Sequence, residues 1–426
     1  MHTSDAVAVA PTSPAPAASA TAAAPWALYA SSANSVHGAR YPTSAADERI
    51  RQALHKLQSA TRYEGELAFL ANYTYDLAVD DLTAFGVQQA KDLGALLARR
   101  YGHLNERTAP FVRASSSHRV VQAARHFSRR FTDSDSRHRP ISPLLIIDES
   151  TSNDTLENSC PALNLSEARR ATSRWLDRSL SHTAHRLAMR VPGVHLTSQD
   201  VVELISLCAF ESVVSSEMPI SPWCDVFSKS ELASFAYYHD LNKHYSYSWP
   251  NTLGPPQGAG WVNELIARLT CTPVRDATQV NHTLFFPLDR AIYVDFTHDN
   301  QMIAIGSAIG LWQETLDPLN PNDTRRFKSS HIVPFGGHFI FERYRCAGTD
   351  QKSIRLLIND CIQRLDSADD GMIALSGWLA KQTFASRDAR ILYQQCFATP
   401  PLPKVTSNAF PTLQTNHEQQ IPGTHL

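Results

Sequence analysis

The chain of 426 residues sets 39 Lys and Arg against 41 Asp and Glu, a formal charge of −2 with His neutral, and 43% of it is hydrophobic. That balance describes a globular chain with ample core and argues against a nucleic-acid binder with a basic face. No apolar run approaches the roughly 18 residues that a membrane-spanning helix needs, which sets aside an integral membrane protein.

Residues 1–35 are a mixture of Ala, Ser, Pro and Thr without the basic start and compact apolar stretch of a secretory signal, and are expected to be disordered or foreign to the fold. After Pro42, AADERIRQALHKL predicts a helix that the proline can start. Thr83 caps a second predicted helix, in which Val87, Ala90, Leu93 and Leu97 share one face. Val120, Ala124, Phe127 and Phe131 repeat that spacing after a Ser cluster. The runs 144–148, 292–296, 339–344 and 354–358 are apolar, strand-length and rich in β-branched or aromatic residues. Between about 160 and 280 the patterns are helical, as in VVELISLCAF, ELASFAYYHDL and WVNELIARL. The economical architecture is α/β: a sheet-containing body interrupted by a helical insertion, with a tail beyond 398 rich in Pro, Asn, Gln and Thr. The expected divisions are 36–150 and 281–398 for the body, 151–280 for the insertion, and 399–426 for a disordered tail.

Three segments carry chemistry. VHGARYPTS, from Val36 to Ser44, sets His37 and Arg40 three apart, with Gly38 allowing close backbone approach to a ligand and a helix N-terminus that favours an anion. THDN, from Thr297 to Asn300, follows an apolar strand and precedes a helix, the junction where α/β sheets hold ligands. A second His-Asp pair, His239 and Asp240, sits inside a helical pattern, where a surface or core role is expected. In FVRASSSHRV, Arg113 emerges from an apolar pair into a Ser run. Together they offer His37, Arg40, Arg113, His298 and Asp299 at strand ends. Cationic groups orient a phosphate, a neutral imidazole attacks phosphorus, and a carboxylic acid protonates the departing alkoxide. Such a site needs no metal or other cofactor.

These segments resemble those of the histidine acid phosphatases, and of the fungal phytases among them: VHGARYPT is close to the family's RHGARYPT, VRASSSHRV to VRASGSxRV, and DFTHDN to DFSHDN. The likeness extends over about 36–398. It implies a phosphoglycerate-mutase-like fold, a mixed central sheet flanked by helices with a smaller inserted α-helical domain. It also implies that His37 becomes phosphorylated, that Asp299 is the general acid, and that Arg40, Arg113 and His298 bind phosphate, with Thr43 and Lys243 as further substrate contacts. The implied reaction is hydrolysis of phosphate monoesters, phytate first, by a secreted, glycosylated, monomeric enzyme with no nucleic-acid or membrane partner. The resemblance pairs Cys208 with Cys224 and Cys160 with Cys396, and leaves Cys346 without its family partner. Five Asn-X-Ser/Thr sequons, at Asn72, Asn153, Asn164, Asn281 and Asn322, agree with glycosylation. In acid, up to about 18 protonated His would turn the chain cationic, which suits polyanionic substrates.

Three departures qualify the match. The Arg that precedes the family's catalytic His is Val36 here. The stretch before the motif, YASSANS, is polar and poor in β-formers where the family has an apolar central strand. The family's lysine-rich stretches read AADERI and LNKHY, leaving Arg49 and Lys243 beside Asp47 and Glu48. Two alternatives therefore stand beside a phytase: a broad-specificity histidine acid phosphatase with weak phytase activity, and a catalytically impaired phosphate-binding relative.

Overall fold

The computed structural model describes residues 26–106, 108–135, 139–141, 144–150, 155–157, 160–214, 220–274, 285–347, 349–365, 370–384 and 394–397. The chain begins with strand β1 (Trp26–Val36) and helix α1 (Ser44–Gln58), then α2 (Ala84–Tyr101), β2 (Phe111–Ser115), α3 (His118–Asp133) and β3 (Leu145–Ile147). A helical stretch follows: α4 (Ser166–Ser179), α5 (Ser181–Ala188), α6 (Ser198–Ser212), α7 (Trp223–Val226), α8 (Lys229–Tyr247) and α9 (Gly254–Thr270). The chain returns to the sheet through β4 (Ile292–Thr297), α10 (Asp299–Ala308), α11 (Ser329–Ile332), β5 (His338–Cys346), β6 (Lys352–Ile358), β7 (Cys361–Gln363), β8 (Ile373–Ala374) and α12 (Leu375–Ala380).

The strands form one mixed sheet in the order β3-β2-β4-β1-β5-β6-β7, with β8 against β6. β3, β2, β4 and β1 run parallel, and β5 to β8 are antiparallel to their neighbours. The C-terminal ends of β1, β2, β3 and β4 therefore open on one edge of the sheet, the edge where α/β sheets place ligands. On one face, Ala33, Val112, Ala114, Val294 and Phe296 pack against Leu93, Leu97, Val120, Phe127 and Phe131 of α2 and α3. On the other, Phe339, Phe341 and Leu356 pack against Trp261, Leu265, Met302 and Trp378. A separate cluster joins Ile50, Leu54 and Leu57 of α1 to Leu176, Leu187, Leu204 and Trp223 of the helical stretch. Each Val, Leu, Ile, Phe or Met side chain removed from water in these clusters contributes about 1.5–3 kcal/mol.

The sheet corrects the expected start of the fold. Residues 26–35, placed outside it by composition, form with Val36 a central strand paired with both β4 and β5. Backbone hydrogen bonding on both sides stabilises this strand whatever its side chains, and small residues suit a position buried on both faces. Ala30, Ala33, Ser31, Ser32, Asn34 and Ser35 are all buried, and Ser32 Oγ accepts a bond from Arg268 at 3.0 Å. The helix after the motif is capped by Thr43, whose Oγ1 accepts from the Ala46 amide at 3.3 Å, so Pro42 stands outside the helix rather than starting it. Cys160–Cys396 and Cys208–Cys224 are disulfides, while Cys271, Cys346 and Cys361 are free. Sequons Asn72, Asn164 and Asn322 are exposed, and Asn153 and Asn281 lie outside the described residues.

Candidate active site

His37 is the first residue beyond β1, and its loop is fixed from two sides. The Ala39 amide donates to Gln89 Oε1 at 2.8 Å, Gln89 Nε2 donates to the Phe335 carbonyl at 3.1 Å, and the Gly336 amide donates to the His37 carbonyl at 3.0 Å. Gly38 serves this packing: a Cβ there would lie 2.1 Å from the Gly86 carbonyl oxygen, so the close approach is to helix α2 and not to a ligand.

The buried His37 imidazole has a defined tautomer. Nδ1 lies 2.9 Å from the Gly38 carbonyl, which can only accept, so Nδ1 carries the proton and Nε2 keeps its lone pair. Arg119 Nε donates to that Nε2 at 3.2 Å, and Arg119 Nη2 lies 3.4 Å from His298 Nδ1. The two imidazoles stand edge to face with centroids 5.7 Å apart. Burial and the neighbouring His298 push the His37 pKa down to about 3, with Arg40 and Arg119 acting in the same sense against the Gly38 bond.

His298 follows β4 as the N-cap of α10, and its Nε2 donates to Glu149 Oε1 at 2.9 Å. Glu149 follows β3 and also accepts from Ser115 Oγ at 2.7 Å and the Ser117 amide at 3.0 Å, tying three strand ends together. Burial acts to raise the Glu149 pKa, but the bonds from His298, Ser115 and Ser117 outweigh it and bring it to about 2. Glu149, Glu157 and His298 place ligand atoms within 4.8 Å of one another, the one group among the described residues with the donors to hold a metal ion. His298 Nε2 already faces both carboxylates, so the cluster also explains itself as an imidazole held by two anions.

Asp299 opens α10 beside His298. Lys243 of α8 reaches its Oδ2 at 2.5 Å and Asn300 Oδ1 at 2.6 Å. Burial would raise the Asp299 pKa, but Lys243, then His37 and Arg40, overcome it and hold the carboxyl well below its ordinary range. Its side chain is still 38% exposed, so these charges act through partial solvent. Arg40 lies 5.6 Å above Phe335 and 5.9 Å above Phe210, its Nη1 donates to the Tyr41 carbonyl at 2.9 Å, and its buried Nε has no partner among the described residues.

The structure thus gathers His37, Arg40, His298, Asp299 and Lys243, and corrects the remaining expectations. Arg113 does not reach the site. Along β2 successive side chains alternate, so Val112 and Ala114 face α2 and α3 while Arg113 points to the opposite face. There it is buried between Asp295, at 2.8 Å, and Glu264, at 2.6 Å. Arg119, one turn into α3, takes the position at the strand ends. The signal was its place after the Ser run of FVRASSSHRV, where a strand hands over to a helix. Thr43 is committed to its helix cap, and Asp80 Oδ2 accepts the Ser44 amide at 3.1 Å, so a carboxylate already occupies the N-terminus of α1. Arg49 pairs with Glu203 at 3.0 Å. Val36 is buried in the apolar cluster that includes Met302 and Phe339. Sequence reasoning also missed Glu149 and set aside His239, which lies on α8 four residues before Lys243.

Residues 37–359 match the model of the histidine phosphatase superfamily, branch 2. The chain belongs to this superfamily. It is 36% identical over 356 residues to Phytase A of Aspergillus fumigatus, covering 78% of this chain and 76% of the relative. Phytase A of Emericella nidulans is 36% identical over 386 residues, 85% of this chain and 82% of the relative. Among solved structures, the phytase from D. castellii superposes with a TM-score of 0.72 at 24% identity, over 85% of this chain and 80% of that one. A Bifidobacterium longum multiple inositol polyphosphate phosphatase bound to inositol hexasulfate gives 0.61 at 11% identity, over 87% and 94%. These two share the fold, and the superfamily's reaction class is phosphoric monoester hydrolysis.

Proposed function

We propose that this histidine phosphatase superfamily member hydrolyses phosphate monoesters, phytate foremost, through a phosphohistidine on His37. The observation that carries the reading is the His37 tautomer: Nδ1–H is bound to the Gly38 carbonyl, leaving the Nε2 lone pair beside Arg119, His298 and the His298–Asp299 turn. The entering phosphate takes the Arg119 guanidinium from Nε2, and Arg40, Arg119 and His298 hold its oxygens. Nε2 forms a bond to phosphorus as the ester P–O bond breaks, and protonated Asp299 gives its proton to the leaving alkoxide. Water then attacks the phosphohistidine with Asp299 as base, which releases inorganic phosphate and restores the imidazole. The ionised resting state of Asp299 means that the proton must arrive with the substrate, whose anionic charge draws Lys243 away.

Kinship with Phytase A of two fungi supports phytate as the substrate. Two disulfides and the exposed sequons support passage through an oxidising, secretory compartment, and no helix among the described residues is long and apolar enough to cross a membrane. The body-and-insertion division, with the body starting at Trp26, belongs to the same reading, as does a monomer. Val36 favours a slower enzyme than one with a third cation there.

The test measures turnover of phytate and of an aryl phosphate between pH 2 and 7, with His37→Ala as control. The expected result is acid-range turnover that His37→Ala abolishes, and a parent no faster than that control refutes the proposal.

A further inference from the structure

One peptide group joins two contacts of the site that have been described separately. The Gly38 carbonyl, which holds the proton on His37 Nδ1 at 2.9 Å, and the Ala39 amide, which donates to Gln89 Oε1 at 2.8 Å, are the two ends of the same planar unit. Turning one end turns the other. The orientation of the Gln89 amide is fixed by its partners, because the Ala39 N–H can only donate and the Phe335 carbonyl, 3.1 Å from Nε2, can only accept. The Ala39 carbonyl in turn accepts from the Thr83 amide at 3.0 Å and from Thr83 Oγ1 at 3.3 Å. Thr83 is the N-cap of α2 and Gln89 lies in its second turn, so both polar groups of Ala39 are tied to one helix. Ala39 is fully buried, which leaves Gln89 as the acceptor for its amide.

The structure assigns to Gln89 the role of a positioning residue: through the Gly38–Ala39 peptide it fixes the direction of the Gly38 carbonyl, and so keeps the lone pair of His37 on Nε2, where phosphorus is attacked. This assignment rests on the phosphatase reading above and adds to it the residue that sets the tautomer of the nucleophile. The need is greatest during turnover. In the resting site Arg119 Nε also donates to Nε2, at 3.2 Å, but the entering phosphate takes that guanidinium, and from then on the Gly38 bond is what distinguishes the two ring nitrogens. Hydrogen bonds at the two ends of one peptide also polarise each other, so donation to Gln89 makes the Gly38 oxygen a stronger acceptor for Nδ1–H. Without Gln89 the buried Ala39 amide lacks an acceptor. The peptide then turns to find one, which carries the Gly38 carbonyl away from the imidazole.

The experiment uses the full chain and two replacements. Gln89→Met keeps the length of the side chain and removes both of its hydrogen bonds. Gln89→Glu keeps an acceptor for the Ala39 amide and gives up the donor to Phe335, so the pair separates control of the peptide from simple bracing of the Phe335 turn. The first readout is exchange of the His37 Nδ1 proton with solvent, followed by NMR on protein carrying isotopically labelled histidine, with the signal assigned by its loss in His37→Ala. At pH 6 the ring is neutral, because burial and His298 push its pKa down to about 3. The second readout is kcat and KM on an aryl phosphate, and thermal unfolding midpoints verify that both variants fold.

The expected result for Gln89→Met is proton exchange faster and kcat lower by about tenfold or more each, with KM within about twofold of the parent. Gln89→Glu is expected to return both quantities to within about threefold of the parent. Parent-like exchange and kcat in Gln89→Met, or a Gln89→Glu as impaired as Gln89→Met, overturns the assignment. If Gln89→Met does not fold, Gln89→Glu decides alone: parent-like values support the assignment and a loss of about tenfold overturns it. A parent without turnover refutes the phosphatase proposal, and the exchange comparison still decides the role of Gln89.

Discussion

Lys243 Nζ lies 2.5 Å from Asp299 Oδ2, an ion pair that reaches from the helical stretch to the strand ends of the sheet. A general acid must carry a proton, and this pair favours the opposite state. In the proposed reaction Lys243 has two tasks that conflict, keeping Asp299 ionised at rest and binding substrate phosphate during turnover.

Replacing Lys243 with Met separates the two. Without the cation Asp299 holds its proton to higher pH in the substrate complex, and the alkaline limb of the kcat profile, which reports that complex, is expected to move up by about one to two units. KM for phytate rises at the same time. An alkaline limb that stays in place would show that Asp299 is not the group titrating there.

His37 sets the acid limb. Its pKa, lowered by burial and by His298 to about 3, leaves Nε2 unprotonated above that pH and protonated, without a lone pair, below it. Activity in the free enzyme is expected to fall as pH drops through about 3. Initial rates at low substrate, with folding checked at each pH, measure it.

Arg113 and Arg119 are expected to fail in different ways. Arg113→Ala leaves Glu264 without its cation and Asp295 with Arg268 as its remaining ionic partner, which costs about 3–5 kcal/mol of stability in urea unfolding. Arg119→Ala removes a group that touches His37 Nε2, and is expected to lower kcat/KM about 100-fold or more with a nearly unchanged unfolding midpoint.

Val36→Arg tests the missing cation. The new side chain starts from the last residue of β1, beside His37, and a guanidinium extending to the phosphate is expected to raise kcat/KM about tenfold or more on phytate and aryl phosphate alike. Loss of the apolar contacts at this buried position is expected to cost about 1–3 kcal/mol, read from the urea midpoint.

Much of this was legible in the amino-acid order because it is local. The periodicity of Val120, Ala124, Phe127 and Phe131 dictates an amphipathic helix, and apolar runs such as IYVDF and IRLLI dictate strands. The His37–Arg40 and His298–Asp299 segments stand at chain positions where a strand ends, which is where a sheet gathers chemistry. Three features were decided by the tertiary structure. β1 is a strand because two neighbours satisfy its backbone, a cause that side-chain composition does not record. Arg113 and Arg119 differ in role because strand alternation turns one toward α9 while a helix start turns the other toward His37. Lys243 has the company of Asp299 because α8 packs against α10, which brings together residues from separate segments of the chain.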